Sequence, residues 1–192
     1  MEATFYFDPA CPFTWRTSRW LVSVAPERGV DVHWRPFSLS ILNGGNVPEQ
    51  YRPMMEASSR ALRLVAALSA DRHDDRIGAF YTEVGTRTHE AGAPLSDEVV
   101  LAAADAAGIA DAKTILEDSS WDDAVRASHE EAFGSAGPDI GSPVLAVEGA
   151  PRAVHGPIIG EVPSLDEALA IWDAVVPLAR SGTFFELKRG RG

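Results

Sequence analysis

The sequence has one cysteine, Cys11, among 192 residues. An internal disulfide and a cysteine-built zinc cluster are therefore excluded, and any redox chemistry at this thiol must pass through a mixed disulfide with another molecule. Basic residues are also few: 17 Lys and Arg against 28 Asp and Glu give a net charge of −11. That balance excludes a general nucleic-acid binder, because phosphate contacts need a basic face. No apolar run approaches the length of a bilayer span, so no membrane partner is expected. Met1-Glu2-Ala3-Thr4 lacks the basic and apolar segments of a secretory signal, which makes the cytoplasm the expected compartment. The histidines show no His-x-x-x-His spacing, so no metal site is predicted.

What is present is an ordinary apolar share of 45%, enough for one sizeable core or a small domain carrying an insertion. Thr4 to Phe7 alternates β-branched and aromatic residues and predicts a short strand. A turn, Asp8-Pro9-Ala10-Cys11-Pro12, leads into a helix to about Glu27 on which Trp15, Arg19, Trp20, Leu21 and Val24 recur at helical spacing. Pro12 suits the first turn, where its missing N–H costs nothing, and Gly29 suits the stop. Val30 to Phe37 alternates again. Strand, helix and strand of these lengths make a βαβ unit with parallel strands.

From Pro48 to about Ala132 strand signals vanish and helical stripes replace them. Met54, Met55, Leu62, Val65 and Leu68 form one stripe, and Ile77, Phe80, Tyr81 and Val84 another. Ser96 caps a further helix that Gly108 closes, and Ser120 with Asp123 is expected to open the next. Strands return with Val144–Val147 and with a second expected over Arg152–His155, a hairpin around Glu148-Gly149. Ser164-Leu165-Asp166-Glu167 reads as a capping box whose helix should bury Leu165, Leu169, Trp172 and Val176. The predicted order is βαβ, helical insertion, ββα. The expected division is a domain of residues 1–46 and 137–192 interrupted by a helical insertion at 47–136.

Cys11 falls just beyond the first strand and at the N-terminus of the helix that follows, where unpaired N–H groups and the positive dipole end favour a thiolate. Ligands of open α/β sheets also sit beyond the carboxyl ends of strands. Cys11 is thus the candidate reactive thiol.

Phe7-Asp8-Pro9-Ala10-Cys11-Pro12-Phe13-Thr14-Trp15 resembles the active-site segment of the DsbA family of thioredoxin-like oxidoreductases, most of all that of the mycothiol-dependent nitroreductase family of actinobacteria. Further matching segments are Thr17-Ser18-Arg19-Trp20, Ser38-Leu39-Ser40-Ile41-Leu42-Asn43, Pro48-Glu49-Gln50-Tyr51, Ser128-His129, Gly141-Ser142-Pro143 and Phe184-Phe185-Glu186-Leu187-Lys188-Arg189. The resemblance implies a thioredoxin-like α/β fold of the DsbA type with an α-helical insertion. It implies a catalytic group of Cys11, Pro12, Thr14 and Pro143, with Pro143 as the cis-proline opposite the thiol. It implies substrate contacts from Phe13, Asn43, Tyr51 and Ser142, to which His89 and His129 of the insertion add candidate polar groups.

Members of that family typically carry a second cysteine where this chain has Thr14. The expected chemistry is therefore a monothiol cycle, with no tightly bound cofactor and a small thiol, mycothiol, as cosubstrate. The electrophile would be a nitroaromatic or another small molecule. The Thr14 hydroxyl, one turn along from the thiol, is expected to donate to the thiolate. Two other readings stay open: a kappa-type thiol S-transferase or isomerase that activates the thiol of a bound cosubstrate, and a catalytically silent binding module. A homodimer is compatible with the sequence, which leaves the oligomeric state open.

Overall fold

The alternation of Thr4–Phe7 places side chains on both faces of one central strand. In a computed structural model, which describes residues 1–190, β1 (Glu2–Phe7) pairs in parallel with β2 (Asp31–Pro36) and antiparallel with β3 (Val144–Val147). A short β4 (Val154–His155) completes the order β2-β1-β3-β4. Phe5 lies opposite Trp34 on one side and Leu145 on the other. Phe5, Phe7 and Leu145 enter the main core, whereas Tyr6 and Val144 join Phe37 and Ala132 in a second cluster. This is the two-residue period of a strand covered on both faces.

Helix α1 (Pro12–Arg28) connects the parallel strands and stops at Gly29, which is left-handed at φ 59°. It packs on the last helix, α8 (Leu165–Arg180), where Trp20 meets Trp172 at 5.7 Å between ring centroids and donates through Nε1 to the Ala168 carbonyl at 3.0 Å. Ser164 caps α8 by accepting from Glu167 N. Leu165, expected in the core, is exposed. The buried line of the helix is Ala168, Trp172, Val176 and Ala179, and α1 grips it from Ala168 onward, which leaves its first residue in solvent.

Between β2 and β3 lie α2 (Leu39–Leu42), α3 (Arg52–Ala70), α4 (Asp74–Gly85), α5 (Asp97–Ala106), α6 (Ala112–Glu117) and α7 (Asp122–Ala136). The Ser96 cap is formed. The expected start at Ser120 is not: Asp118 accepts from Ser120 N in a tight turn over Ser119–Trp121, and α7 begins at Asp122. The second hairpin strand is also shorter than expected. Ala153 N is drawn to Ser135 Oγ, and Arg152 to the carbonyls that end α7, so only Val154 and His155 pair with β3. Helix α4 runs on into one wide π turn, Thr86–Glu90. Among the described residues no helix is long and apolar enough to cross a membrane.

Candidate active site

The turn after β1 presents Cys11 at the head of α1. Cys11 is the extended residue before the first helical turn, its amide bonded to the Asp8 carbonyl at 3.1 Å and its carbonyl accepting from Trp15 N at 3.0 Å. Cys11 thus stands at the end of α1 where, as at any helix start, the first amides point out of the helix. The thiol is half-exposed and donates to the Ser142 carbonyl at 3.7 Å. The Ser142–Pro143 peptide is cis, and it leads directly into β3 beside the Cys11 turn.

Thr14 is fully buried, and its hydroxyl donates to Ser142 Oγ at 2.8 Å. This corrects the expectation that it serves the thiolate: the proton is committed elsewhere. Ser142 Oγ also accepts from Asp8 N at 3.3 Å. One serine hydroxyl thus ties together the Cys11 turn, the first turn of α1 and the loop that carries Pro143.

Beneath the turn lies Asp8, a carboxylate that the motif contains but whose environment no local pattern reveals. It is buried and takes three donors: Ser58 Oγ at 2.5 Å and Ala10 N at 2.9 Å on Oδ1, and Leu39 N at 2.7 Å on Oδ2. Burial pushes its carboxyl above the ordinary range, and those three donors oppose the shift. Asp8 anchors α2 and α3 to the Cys11 turn, because Leu39 starts the first and Ser58 lies on the second.

The remaining sequence candidates divide. Phe13 is half-buried beside the thiol, with the Arg16 guanidinium over its ring at 5.4 Å. Pro12 is exposed at the helix start. His89, carried by the π turn, donates through Nε2 to the Pro9 carbonyl at 2.8 Å and stacks on Trp15 at 6.2 Å. Burial lowers its pKa, which keeps the ring neutral. His89 therefore braces the turn two residues before Cys11.

His129 occupies a different place. Buried between Phe37 and Phe133, it accepts from Ser38 N through Nδ1 at 3.3 Å, and burial lowers its pKa. Its ring supports the start of α2 from below. Asn43 is exposed and donates to the Leu39 carbonyl at 2.8 Å, and Tyr51 is exposed in the turn before α3. Both stand on the connection between α2 and α3. A residue that the sequence showed only as part of a helical stripe, Tyr81, lies fully buried under the Cys11 turn, stacked on Phe7 at 4.1 Å.

A family model described as Rv2466c-like, mycothiol-dependent nitroreductase Rv2466c, matches residues 10–189. The protein Rv2286c of Mycobacterium tuberculosis is 29% identical over 190 residues, covering 96% of this chain and 80% of that protein. Among solved structures, the cytosolic disulfide reductase DsbM of Pseudomonas aeruginosa, described with GSH, superposes with a TM-score of 0.61 at 15% identity, covering 93% of this chain and 100% of that one. The oxidoreductase DsbA of Xylella fastidiosa gives 0.50 at 15% identity, covering 92% and 84%. These likenesses establish the thioredoxin-like, DsbA-type fold.

Proposed function

This chain belongs to the Rv2466c-like family of mycothiol-dependent nitroreductases, and from that premise we propose that it is a monothiol oxidoreductase in which Cys11 is the nucleophile and a small thiol completes each turnover. The observation that carries this reading is the pairing of a half-exposed thiol at a helix start with a position 14 whose side chain is spent on Ser142. No second thiol exists to open a mixed disulfide from within.

The cycle balances with two equivalents of thiol, RSH. For a nitro compound, Cys11–SH and one RSH supply two electrons and two protons. The nitro group becomes nitroso, water leaves, and Cys11–S–S–R remains. A second RSH attacks the small-thiol sulfur, which releases the Cys11 thiolate to be reprotonated and gives RSSR. For a disulfide substrate the Cys11 thiolate attacks one sulfur directly, the other leaves as thiolate, and the same second step follows. No tightly bound cofactor is required, because the electrons come from thiol. Mycothiol is the small thiol that the family points to. Phe13, Asn43 and Tyr51 would form the rim that receives it, with Pro143 and the Ser142 backbone opposite the sulfur.

The test is turnover of a nitroaromatic and of a small disulfide with mycothiol as the only reductant, by wild type and by Cys11→Ser. The reading requires that Cys11→Ser lose turnover of both. Full activity in that variant would favour an S-transferase or isomerase role, in which the bound thiol itself reacts.

A further inference from the structure

The Tyr81 hydroxyl is a buried donor with no full hydrogen bond to a protein acceptor among the described residues. Its ring is wedged between Phe7, at 4.1 Å, and the edge of Trp15, at 5.6 Å. Phe7 ends β1 and Trp15 closes the first turn of α1, so the ring fills the space directly beneath the turn that carries Cys11. The side chain is fully buried, and its oxygen has no hydrogen-bond partner among the described residues. The neighbouring hydroxyl, Ser18, lies close enough to act on the phenol oxygen, but no full hydrogen bond joins the two: Ser18 gives its proton to the Trp15 carbonyl at 2.6 Å and receives Arg19 Nε at 3.3 Å. Buried polar groups left in this state are rare, and each calls for an explanation.

Two groups that can carry negative charge lie within electrostatic reach of this oxygen, Cys11 and Asp8. Asp8 already takes three donors. Cys11 is the acceptor with unused capacity. As a thiol it donates to the Ser142 carbonyl, and on losing its proton to solvent it becomes an acceptor only. The Thr14 hydroxyl cannot answer that change, because it is held by Ser142. The Arg19 guanidinium, also within electrostatic reach of Tyr81, lies over Trp15 at 4.1 Å and donates to Thr82 Oγ1 at 2.9 Å, with Nη2 left over. A cation beside a phenol strengthens it as a donor.

We propose that Tyr81 is a further residue of the thiol site, its hydroxyl donating a hydrogen bond to the Cys11 sulfur whenever that sulfur is a thiolate. It supplies from the helical insertion the donor that position 14 does not supply in this chain. Burial raises the phenol's own pKa, which keeps Tyr81 protonated and able to donate. The inference rests on reading Cys11 as the reactive thiol, but it concerns the free enzyme and needs no cosubstrate.

The test is the rate at which iodoacetamide alkylates Cys11 in the full chain from pH 5.5 to 10, for wild type and Tyr81→Phe. The phenyl ring keeps the contacts to Phe7 and Trp15, and near-UV circular dichroism checks that the fold is retained. Loss of a hydrogen bond to a charged sulfur should slow labelling of Tyr81→Phe about tenfold near pH 6. The two proteins should label equally near pH 10. A merely structural role would move the rate at both pH values or at neither, and either result overturns the proposal. Should Tyr81→Phe fail to fold, 3-fluorotyrosine at position 81, a stronger donor, should speed labelling near pH 6, and an unchanged rate overturns the proposal equally. Because alkylation involves no thiol cosubstrate, the monothiol cycle can fail while this result stands, and the reverse.

Discussion

Thr14 and Ser142 are joined hydroxyl to hydroxyl at 2.8 Å in a buried contact, so the position where the sequence resemblance implies a second thiol here holds the first turn of α1 against the loop carrying Pro143. Thr14→Val keeps the shape and removes the donor, leaving Ser142 with Asp8 N as its partner. It should cost about 1–2 kcal/mol in urea unfolding, and Thr14→Ser should restore most of that loss. A Thr14→Val protein as stable as wild type would show that the tie has no structural weight.

Thr14→Cys changes the chemistry at the same place. Positions 11 and 14 lie one turn apart on one face at the head of α1, so a second sulfur there can close on Cys11. The variant should release bound small thiol by itself, and its turnover should depend less steeply on thiol concentration than that of wild type. An unchanged dependence, with only the stability cost of the lost tie, would mean that the buried position cannot reach the mixed disulfide.

Asp8 takes donors on both oxygens. An amide can accept on one oxygen only, so Asp8→Asn turns an NH2 group against either Leu39 N or the pair Ser58 and Ala10 N. The expected cost is about 1–3 kcal/mol of stability. Cys11 should also become more accessible to alkylation, as α2 and α3 lose their anchor to the turn. A neutral effect on chemical unfolding would contradict the assigned geometry.

Much of the fold could be read from the chain itself because it is local. Alternation fixed β1 and β2, Gly29 the end of α1, and Ser96 and Ser164 two helix starts. The thiol's place at a helix start followed from Asp-Pro-Ala-Cys-Pro after a strand. The site's support was not legible, because its partners are distant in sequence: Ser58 meets Asp8 from 50 positions away and Ser142 meets Thr14 from 128. Tyr81 reads as one more member of a core stripe, and only the crossing of α4 under the Cys11 turn sets it apart. Thr14 was read by analogy with a dithiol, which missed that a hydroxyl can be tied across the groove. Leu165 followed the helical period correctly, but the period says nothing of where a neighbouring helix ends.

His129 gives the fold a dependence on pH. Burial lowers its pKa, so the folded state holds it neutral, and Nδ1 must be unprotonated to accept from Ser38 N. A folded value below the unfolded one of about 6.5 contributes stability that is present above that pH and lost as pH falls through the folded value. Gln at this position can accept without titrating. Between pH 7.5 and 5, wild type should therefore lose more stability than His129→Gln, with the contribution of His89 common to both. Parallel losses in the two proteins would show that His129 does not carry the effect.

The most direct test of the monothiol account is the mass of the enzyme caught during turnover. Wild type is mixed with mycothiol and a nitroaromatic, quenched with acid at intervals, and weighed intact, with peptide mapping of residue 11. The account predicts one mycothiol joined to Cys11 by a disulfide, forming only when substrate is present and disappearing at a rate proportional to free mycothiol. Turnover with no such adduct, retained in full by Cys11→Ser, would contradict it.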